Sequence, residues 1–225
     1  MVPGLVSDDD LFGEQSAALA GEVDVIVSDV SRSRSIADMA RAALAVAPPS
    51  FALAGLSMGG YVVWEILRQA RERVTAVALL DTSARPDAEE QSARRQALME
   101  LAQAGRFPDV LELLWPFEVS PVHRSDAALR ARADAMFLRA GPEVFVRQTE
   151  AIIARMDSRP DLASVDVPAL VLCGRDDAIT PLDGSQEMAA GIPGAELVVL
   201  DDCGHLSSWE RPAEVTAALR RLLAR

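Results

Sequence analysis

Short apolar segments alternate with longer helical patterns along most of the chain. Several of the apolar segments contain no polar residue, which is typical of strands buried on both faces of a parallel sheet. These strand candidates cover residues 23–27, 51–54, 74–80, 168–173 and 196–200. Helical patterns cover residues 36–46, 61–71, 184–190 and 212–225. This alternation predicts βαβ units and therefore an α/β fold.

One long segment, residues 86–164, lacks a convincing strand and contains amphipathic helical patterns instead. Its helix candidates cover residues 89–104, 109–115, 126–139 and 143–156. Gly105 closes the first candidate and Gly141-Pro142 closes the third, and both are signals for a helix C-terminus. We therefore expect a helical lid at 86–164, inserted into an α/β core formed by 1–85 and 165–225.

Composition and charge exclude several classes of function. The 22 basic and 34 acidic residues give a net charge of -12, and every basic residue is arginine. A P-loop and a side-chain Schiff base both need lysine, so neither is expected. An acidic surface repels phosphate backbones and anionic lipid, which argues against nucleic-acid and membrane partners.

The termini, cysteines and histidines place further limits on the protein. The N-terminal residues lack the basic segment of a signal peptide, and no apolar run approaches the roughly 18 residues of a membrane span. We therefore expect a cytoplasmic protein with free thiols. The two cysteines and two histidines have spacings that fit no metal-ligand pair, so no metal is expected. The serine chemistry described below requires no organic cofactor either.

The most informative motif is Gly55-Leu56-Ser57-Met58-Gly59, followed by Gly60, between an apolar strand and a helix. A strand-to-helix turn that exposes a nucleophilic serine needs small residues on both sides. The N-terminus of the following helix offers free N–H groups where negative charge would develop. A plain glycine-rich turn or a phosphate-binding loop is the alternative, and the nucleophile interpretation is favoured because partner residues are present.

A serine nucleophile needs a base, and the chain has two histidines. His205 follows the last strand, whereas His123 lies within the helical segment, so His205 is favoured. The base needs an acid to orient it. Asp177 is the first candidate because it follows a strand, and Asp176 and Asp81 compete for the role.

The order Ser57, Asp177, His205, each beyond the end of a strand, resembles the α/β-hydrolase superfamily. The resemblance covers nearly the whole chain and rests on three groups of residues: 55–60; Gly174-Arg175-Asp176-Asp177 with Pro181; and Gly204-His205 with Glu210 and Pro212. It is closest to lid-bearing carboxylesterase-like members, a group that also includes lactonases, carbon–carbon bond hydrolases and perhydrolases. In such members the acid is the third residue after the glycine, which favours Asp177.

The resemblance implies an α/β-hydrolase fold with a mostly parallel sheet of about six strands, flanking helices and an inserted lid. It also implies an oxyanion hole formed by the N–H groups of Met58 and Leu5. Relatives usually have a His-Gly pair where this chain has Pro3-Gly4, and they carry further strands before it. We therefore expect either a very short strand at 1–3 or a truncated chain. The exposed sheet edge that results predicts a homodimer.

The lid segment supplies apolar side chains for an acyl pocket, and we expect Trp115, Phe117, Met136 and Phe137 to contribute to it. Its arginines, such as Arg94, have acidic residues nearby in the sequence and are interpreted as solvated rather than as a carboxylate clamp.

Together these features predict a serine hydrolase that cleaves a small, largely apolar carboxylic ester through an acyl-enzyme. The ester would be its only partner apart from a second copy of the chain. A lactonase or perhydrolase of the same fold is one alternative, and a catalytically weak ligand-binding protein is another. Because the base must be neutral, the rate should fall as pH drops through about 6.5, unless the site shifts the pKa of the histidine.

Overall fold

A four-stranded parallel sheet forms the centre of the computed structural model, which describes residues 1–225. The strands are β1 (Phe51–Leu56), β2 (Val74–Leu80), β3 (Ala169–Gly174) and β4 (Glu196–Leu200), and they lie in this order across the sheet. Strands β2 and β3 are central, and every residue of β3 is buried. This burial on both faces explains why β3 contains no charged or strongly polar residue, and why Thr75, at the exposed start of β2, is the polar residue of these two strands.

Nine α-helices surround the sheet or lie above it. Seven of them are α1 (Gly13–Leu19), α2 (Ile36–Val46), α3 (Met58–Ala70), α4 (Glu89–Gln103), α5 (Phe107–Glu118), α6 (Ala127–Ile153) and α7 (Leu182–Gly191). The last two are α8 (Ser207–Glu210) and α9 (Pro212–Leu223). Short 3-10 helices cover Asp9–Phe12, Arg71–Arg73 and Arg159–Ser164. No helix combines the length and the apolar character that a membrane crossing requires.

The core consists of two apolar clusters, one on each face of the sheet. Consecutive residues of a strand point to opposite faces, so Leu80 and Leu172 join one cluster while Leu79 and Val171 join the other. Helices α1 and α9 and the helices between β2 and β3 cover the first face, whereas α2, α3 and α7 cover the second. The sheet is therefore covered on both sides, as a parallel sheet requires.

The sheet has four strands, so the expectation of about six strands is wrong. Residues 23–27 form no strand: Val23 N–H donates to the carbonyl of Leu19, and the carbonyl of Ile26 accepts from the N-terminal amine of Met1 rather than from a neighbouring strand. The expected strand at 1–3 is reduced to a single parallel bridge between Val2 and Gly55. An apolar cavity of about 480 Å³ lies between residues 23–28, β1 and α9. A homodimer formed at this edge stays a prediction.

Three helices, α4 to α6, lie between β2 and β3 at the position expected for a lid. We call residues 86–164 the lid segment; its function as a movable cover stays a prediction. Helix α6 merges the two helices that the sequence predicted, and Gly141, with φ of 80°, produces the kink between them. Pro142 follows the kink directly, at a position where its missing backbone N–H breaks no helical hydrogen bond.

Candidate active site

The carboxyl ends of the four strands align at one edge of the sheet. Leu56 pairs with Leu80, and Gly174 pairs with Leu200, in the parallel register. The segments that follow these strands therefore leave the sheet at the same edge. They carry Ser57 after β1, Asp81 after β2, and the loops with Asp177 after β3 and His205 after β4. This edge is where ligands bind in open α/β sheets.

Ser57 occupies a sharp turn between β1 and α3, with φ of 56° and ψ of -118°. A positive φ is strained for a residue with a side chain, so the surrounding packing must hold it. A Cβ on Gly55 would lie only 2.8 Å from the nitrogen of Gly60, and one on Gly59 would contact the backbone of Val2. Only glycine fits at these two positions, which explains the spacing of the motif.

A continuous hydrogen-bonded chain connects Ser57, His205 and Asp177. Ser57 Oγ lies 2.8 Å from His205 Nε2, and His205 Nδ1 lies 2.8 Å from Asp177 Oδ2. The other carboxylate oxygen of Asp177 accepts hydrogen bonds from the N–H groups of Ile179 and Thr180, both at 2.9 Å. Thr180 Oγ1 donates to Asp177 Oδ2 at 2.7 Å. These bonds fix the carboxylate behind the imidazole.

The competing acids occupy different environments. Asp176 is exposed to solvent. Asp81 is completely buried; its Oδ1 accepts from the N–H of Gly174 at 2.9 Å, and Ser207 Oγ donates to its Oδ2. Burial and the neighbouring Asp177 carboxylate raise the pKa of Asp81 well above its ordinary value. Asp81 therefore contacts the loops on either side of the His205–Asp177 pair but does not contact His205 itself by hydrogen bond.

Potential metal-ligating atoms of Asp81, Cys173 and Asp177 lie within 4.8 Å of one another. Each carboxylate already accepts hydrogen bonds from protein groups. Burial raises the pKa of the Cys173 thiol far above its usual range, whereas a metal needs the thiolate. The chemistry of this donor set does not fit a metal ion. Neither Cys173 nor Cys203 forms a disulfide.

His205 is 3% exposed, and its protonation reflects opposing effects. Burial disfavours the imidazolium, whereas the carboxylates of Asp177, Glu118 and Asp81 favour it, and the balance raises the pKa of His205 to about 9. The sequence-based expectation used the unperturbed value of about 6.5. The surrounding carboxylates thus move the pKa upward.

The loop that carries His205 is anchored to the lid segment. The backbone N–H groups of His205 and Leu206 both donate to the carbonyl of Glu118 at 3.0 Å. The buried carboxylate of Glu210 accepts from Gly204 N at 2.9 Å, from Ser120 N at 2.8 Å, and lies 2.8 Å from Nδ1 of the second histidine, His123. His123 is therefore engaged with Glu210 and does not line the cavity above Ser57.

Two backbone N–H groups near Ser57 donate to no protein group. These belong to Leu5 and to Met58, the first residue of α3. A Cβ on Gly4 would lie 3.5 Å from the Cβ of Ser57, so residues 4 and 5 pass close to the serine. Leu5 and Ser57 line the same cavity. Residue 5 thus passes close to Ser57 and Met58 follows it directly in the chain; their role as oxyanion donors stays a prediction.

A cavity of about 130 Å³ opens above Ser57 and His205. Of the four expected pocket residues, Phe137 lines it, whereas Trp115, Phe117 and Met136 do not. Trp115 and Met136 are buried in the core, and the Phe117 ring lies 4.1 Å below the guanidinium of Arg94. The apolar lining also includes Leu5, which was expected beside the serine, and Leu114 of the lid segment. Sequence reasoning did not assign the remaining apolar residues to the cavity: Leu56, Tyr61, Leu98, Ile152, Ala178, Ile179 and Leu206.

The cavity also has charged lining residues, which the sequence analysis did not assign to it. Arg94, Arg95 and Glu118 line it together with Gln91. The expectation that lid arginines are matched by acids holds for Arg95, which forms an ion pair at 2.7 Å with Asp87, but not for Arg94, which has no carboxylate partner. The rotation of α4 about its axis places Arg94 and Arg95 at the cavity. The sequence pattern alone did not reveal this rotation.

Comparison with known proteins agrees with this architecture. A family model described as the alpha/beta hydrolase fold matches residues 28–212. A 2-hydroxy-6-oxononadienedioate/2-hydroxy-6-oxononatrienedioate hydrolase of Escherichia coli is 29% identical over 180 residues. The alignment covers 77% of this chain, and the chain spans 62% of the length of that relative.

Solved structures extend the similarity over nearly the whole chain. A thermophilic esterase from Thermogutta terrifontis superposes with a TM-score of 0.87 and 30% identity, covering 99% of this chain and 88% of the esterase. An enol-lactonase from Burkholderia xenovorans, at 24% identity, shares the fold with a TM-score of 0.82 and covers 100% of this chain and 90% of the lactonase. The sheet, the sharp turn at Ser57 and these matches establish that the chain belongs to the α/β-hydrolase family.

Proposed function

We propose that the protein is a serine hydrolase that cleaves a small carboxylic ester through an acyl-enzyme. The observation that carries this proposal is the hydrogen-bonded chain from Ser57 through His205 to Asp177, with the serine lining a partly apolar cavity. A serine hydroxyl is a weak nucleophile unless a base takes its proton as it attacks. His205 is placed to be that base, and Asp177 to orient it.

The first half of the reaction forms the acyl-enzyme. Nε2 of His205 accepts the Ser57 proton while Oγ attacks the ester carbonyl, and the carbonyl electrons move onto oxygen. The resulting imidazolium is stabilised by the Asp177 carboxylate at Nδ1. As the tetrahedral intermediate collapses, the ester C–O bond breaks and His205 donates its proton to the departing alcohol.

The second half releases the acid. His205 removes a proton from water, which attacks the acyl carbonyl, and the bond to Ser57 Oγ breaks as the imidazolium returns the proton to the serine. In both halves the free N–H groups of Leu5 and Met58 would hold the developing oxyanion. A preorganised donor of this kind contributes about 3–4 kcal/mol of transition-state stabilisation.

The size and lining of the cavity support a small substrate. Its volume of about 130 Å³ accommodates a short acyl or alcohol group, and ten of its 18 lining residues are hydrophobic. The esterase from Thermogutta terrifontis, at 30% identity, supports ester hydrolysis in the same fold.

Labelling with a fluorophosphonate tests the serine assignment. Intact-protein and peptide mass spectrometry should find one adduct, on Ser57, in the native enzyme. Ser57→Ala removes the nucleophile and His205→Ala removes its base, so both variants should remain unlabelled over the same time. Circular dichroism confirms that the variants are folded. A folded native protein that takes no label, or takes it at another residue, refutes the proposal and favours a ligand-binding role.

A substrate panel then tests the bond type. p-Nitrophenyl esters from acetate to octanoate should show a preference for short acyl chains, because the cavity is small. The panel includes γ-butyrolactone and δ-valerolactone, since a lactone is a cyclic ester that the same steps would open. Labelling at Ser57 without turnover of any ester would contradict the ester assignment while leaving the nucleophile intact.

A further inference from the structure

Glu118 is the last residue of α5 and lines the cavity together with Ser57 and His205. It is 9% exposed. Its carbonyl accepts the N–H groups of His205 and Leu206 at 3.0 Å each, so its backbone is fixed next to the proposed base. The position of Glu118 relative to the reacting hydroxyl therefore depends on the same loop that carries His205.

The side-chain carboxyl of Glu118 forms no hydrogen bond or ion pair with the protein, although most of the residue is buried. Glu210, close by, accepts two backbone N–H groups and lies 2.8 Å from His123. A buried carboxyl without partners costs free energy, and such groups are normally satisfied. Because Glu118 lines the cavity, a partner that occupies the cavity can satisfy it.

The other charged or amide side chains of the cavity differ from Glu118 in that each contacts a protein group. Gln91 accepts from the N–H of Ala88 at 2.9 Å and thereby caps its own helix. Arg95 pairs with the carboxylate of Asp87 at 2.7 Å. Arg94 lies over the ring of Phe117 at 4.1 Å. Arg94 is exposed to solvent, so Glu118 is the buried charged side chain of the cavity that contacts no protein partner.

The charges around Glu118 limit what it would bind. Burial raises the pKa of Glu118 to about 7, against the opposing effects of His205 and Arg95, while Asp177 and Glu210 act in the same direction as burial. The arginines that line the cavity repel a cationic ligand group, and an ionised Glu118 repels a carboxylate. A neutral hydrogen-bond donor, such as a hydroxyl or an amide N–H, avoids both repulsions.

We propose that Glu118 is a specificity residue whose carboxyl accepts a hydrogen bond from a neutral hydroxyl or amide N–H of the substrate. The inference rests on the proposed ester hydrolysis at Ser57. It changes the expected substrate from a purely apolar ester to one that has a polar donor group close to the scissile bond. The apolar side chains of Leu98, Leu114 and Phe137 then contact the remainder of the molecule.

Matched esters that differ only in the donor test this inference. The hydroxyl pair is p-nitrophenyl 3-hydroxybutyrate and p-nitrophenyl butyrate. The amide pair is the p-nitrophenyl ester of N-acetyl-β-alanine and its N-methyl derivative. In the native enzyme kcat/KM should be roughly 10- to 100-fold higher for the donor-bearing member of at least one pair. The pair that shows the preference identifies the type of donor.

Three variants connect the preference to Glu118. Glu118→Leu should reduce the ratio within the preferred pair to about 1, because no acceptor remains. Glu118→Gln is nearly isosteric and retains an amide oxygen, so it should keep part of the preference. Glu100→Leu changes an exposed carboxylate on α4 and should leave the ratio at the native value. A native enzyme without preference in either pair, or a Glu118→Leu variant with the full native preference, overturns the inference.

Fluorophosphonate labelling separates this test from the test of the proposed function. If Ser57 is labelled in the native enzyme while no donor preference exists, only the role of Glu118 is refuted. If Ser57 is not labelled, the proposed function itself fails. Labelling of Ser57 in the Glu118→Leu variant also shows that the variant has kept the geometry of the sharp turn that carries Ser57.

Discussion

Replacement of Asp81 by alanine or asparagine tests how the two loops of the site are held. Asp81 Oδ1 accepts from the N–H of Gly174 at 2.9 Å, and Oδ2 accepts from Ser207 Oγ. Gly174 precedes Asp177 by three residues, and Ser207 follows His205 by two. Alanine removes both acceptors. Asparagine keeps both contacts, because its amide oxygen accepts from Gly174 and its amide nitrogen donates to Ser207 Oγ.

The expected loss of stability follows from these contacts. Each buried donor that is left unsatisfied in Asp81→Ala costs about 1–3 kcal/mol. Asp81 has φ of 43°, a left-handed conformation that asparagine tolerates and that costs alanine about 1 kcal/mol. Together these contributions lower the free energy of unfolding of Asp81→Ala by about 3–7 kcal/mol. Asp81→Asn should differ from the native protein by less than about 1 kcal/mol at pH 5, since both hydrogen bonds persist.

The pH dependence gives a second readout for Asp81→Asn. Burial and the Asp177 carboxylate raise the pKa of Asp81 in the folded state, so the folded protein holds this proton more tightly than the unfolded chain does. The native protein therefore loses stability as pH rises above the range in which an unfolded-chain carboxyl titrates. Asparagine has no proton to release. The stability of Asp81→Asn relative to the native protein should thus increase between pH 5 and pH 8.

Urea unfolding followed by circular dichroism measures these free energies at both pH values, and hydrolysis of p-nitrophenyl butyrate reports on the site. Asp81→Ala should lose activity together with stability, because both triad loops lose an anchor. If alanine and asparagine reduce stability equally, the two hydrogen bonds are not what holds the loops, and the reasoning is refuted.

Three further outcomes test other parts of the structure. Because carboxylates raise the pKa of His205 to about 9, kcat/KM for a neutral ester should rise with pH and reach half its maximum well above 6.5; a midpoint at or below 6.5 in a pH–rate profile contradicts this. Gly55→Ala places a Cβ against backbone and should lower the midpoint of thermal unfolding by many degrees, whereas Gly13→Ala, where the nearest atom is 3.6 Å away, should have little effect; similar midpoints would refute the steric argument. The thiols of Cys173 and Cys203 are fully buried with raised pKa values, so Ellman's reagent should react with them only after addition of denaturant, and rapid reaction of the folded protein would show that one of them is accessible.

The arrangement of the site follows from features that the sequence makes visible. Parallel strands end at one edge, so residues that follow β1, β3 and β4 must approach one another. The choice between Asp177 and Asp81 is different, because both follow a strand. It depends on the turn from Asp177 to Thr180, whose N–H groups orient the carboxylate, and on Ser207 binding Asp81 instead. The contacts of Asp177 are local to its turn, whereas the contact between Ser207 and Asp81 joins distant segments and leaves no local pattern.

Two expectations failed because tertiary packing overrode local pattern, and one helix was not predicted. Residues 23–27 have the composition of a strand but lack a neighbouring strand edge, and a strand needs such an edge for its hydrogen bonds. Helix α1 was not predicted; its buried Gln15 donates to the carbonyl of Ser208 at 2.9 Å, a contact with a distant segment. Trp115 and Met136 face the core rather than the cavity, since the rotation of a lid helix about its axis depends on its neighbours.

The contacts at the C-terminal end of α5 also limit how the lid segment would move relative to the site. Glu118 and Ser120 are tied to the loop of His205, through the carbonyl of Glu118 and the carboxylate of Glu210. Helix α4, on the other side of the cavity, has a mostly exposed surface. A swinging lid would therefore pivot at the end nearest the base, and α4 would be the edge that lifts.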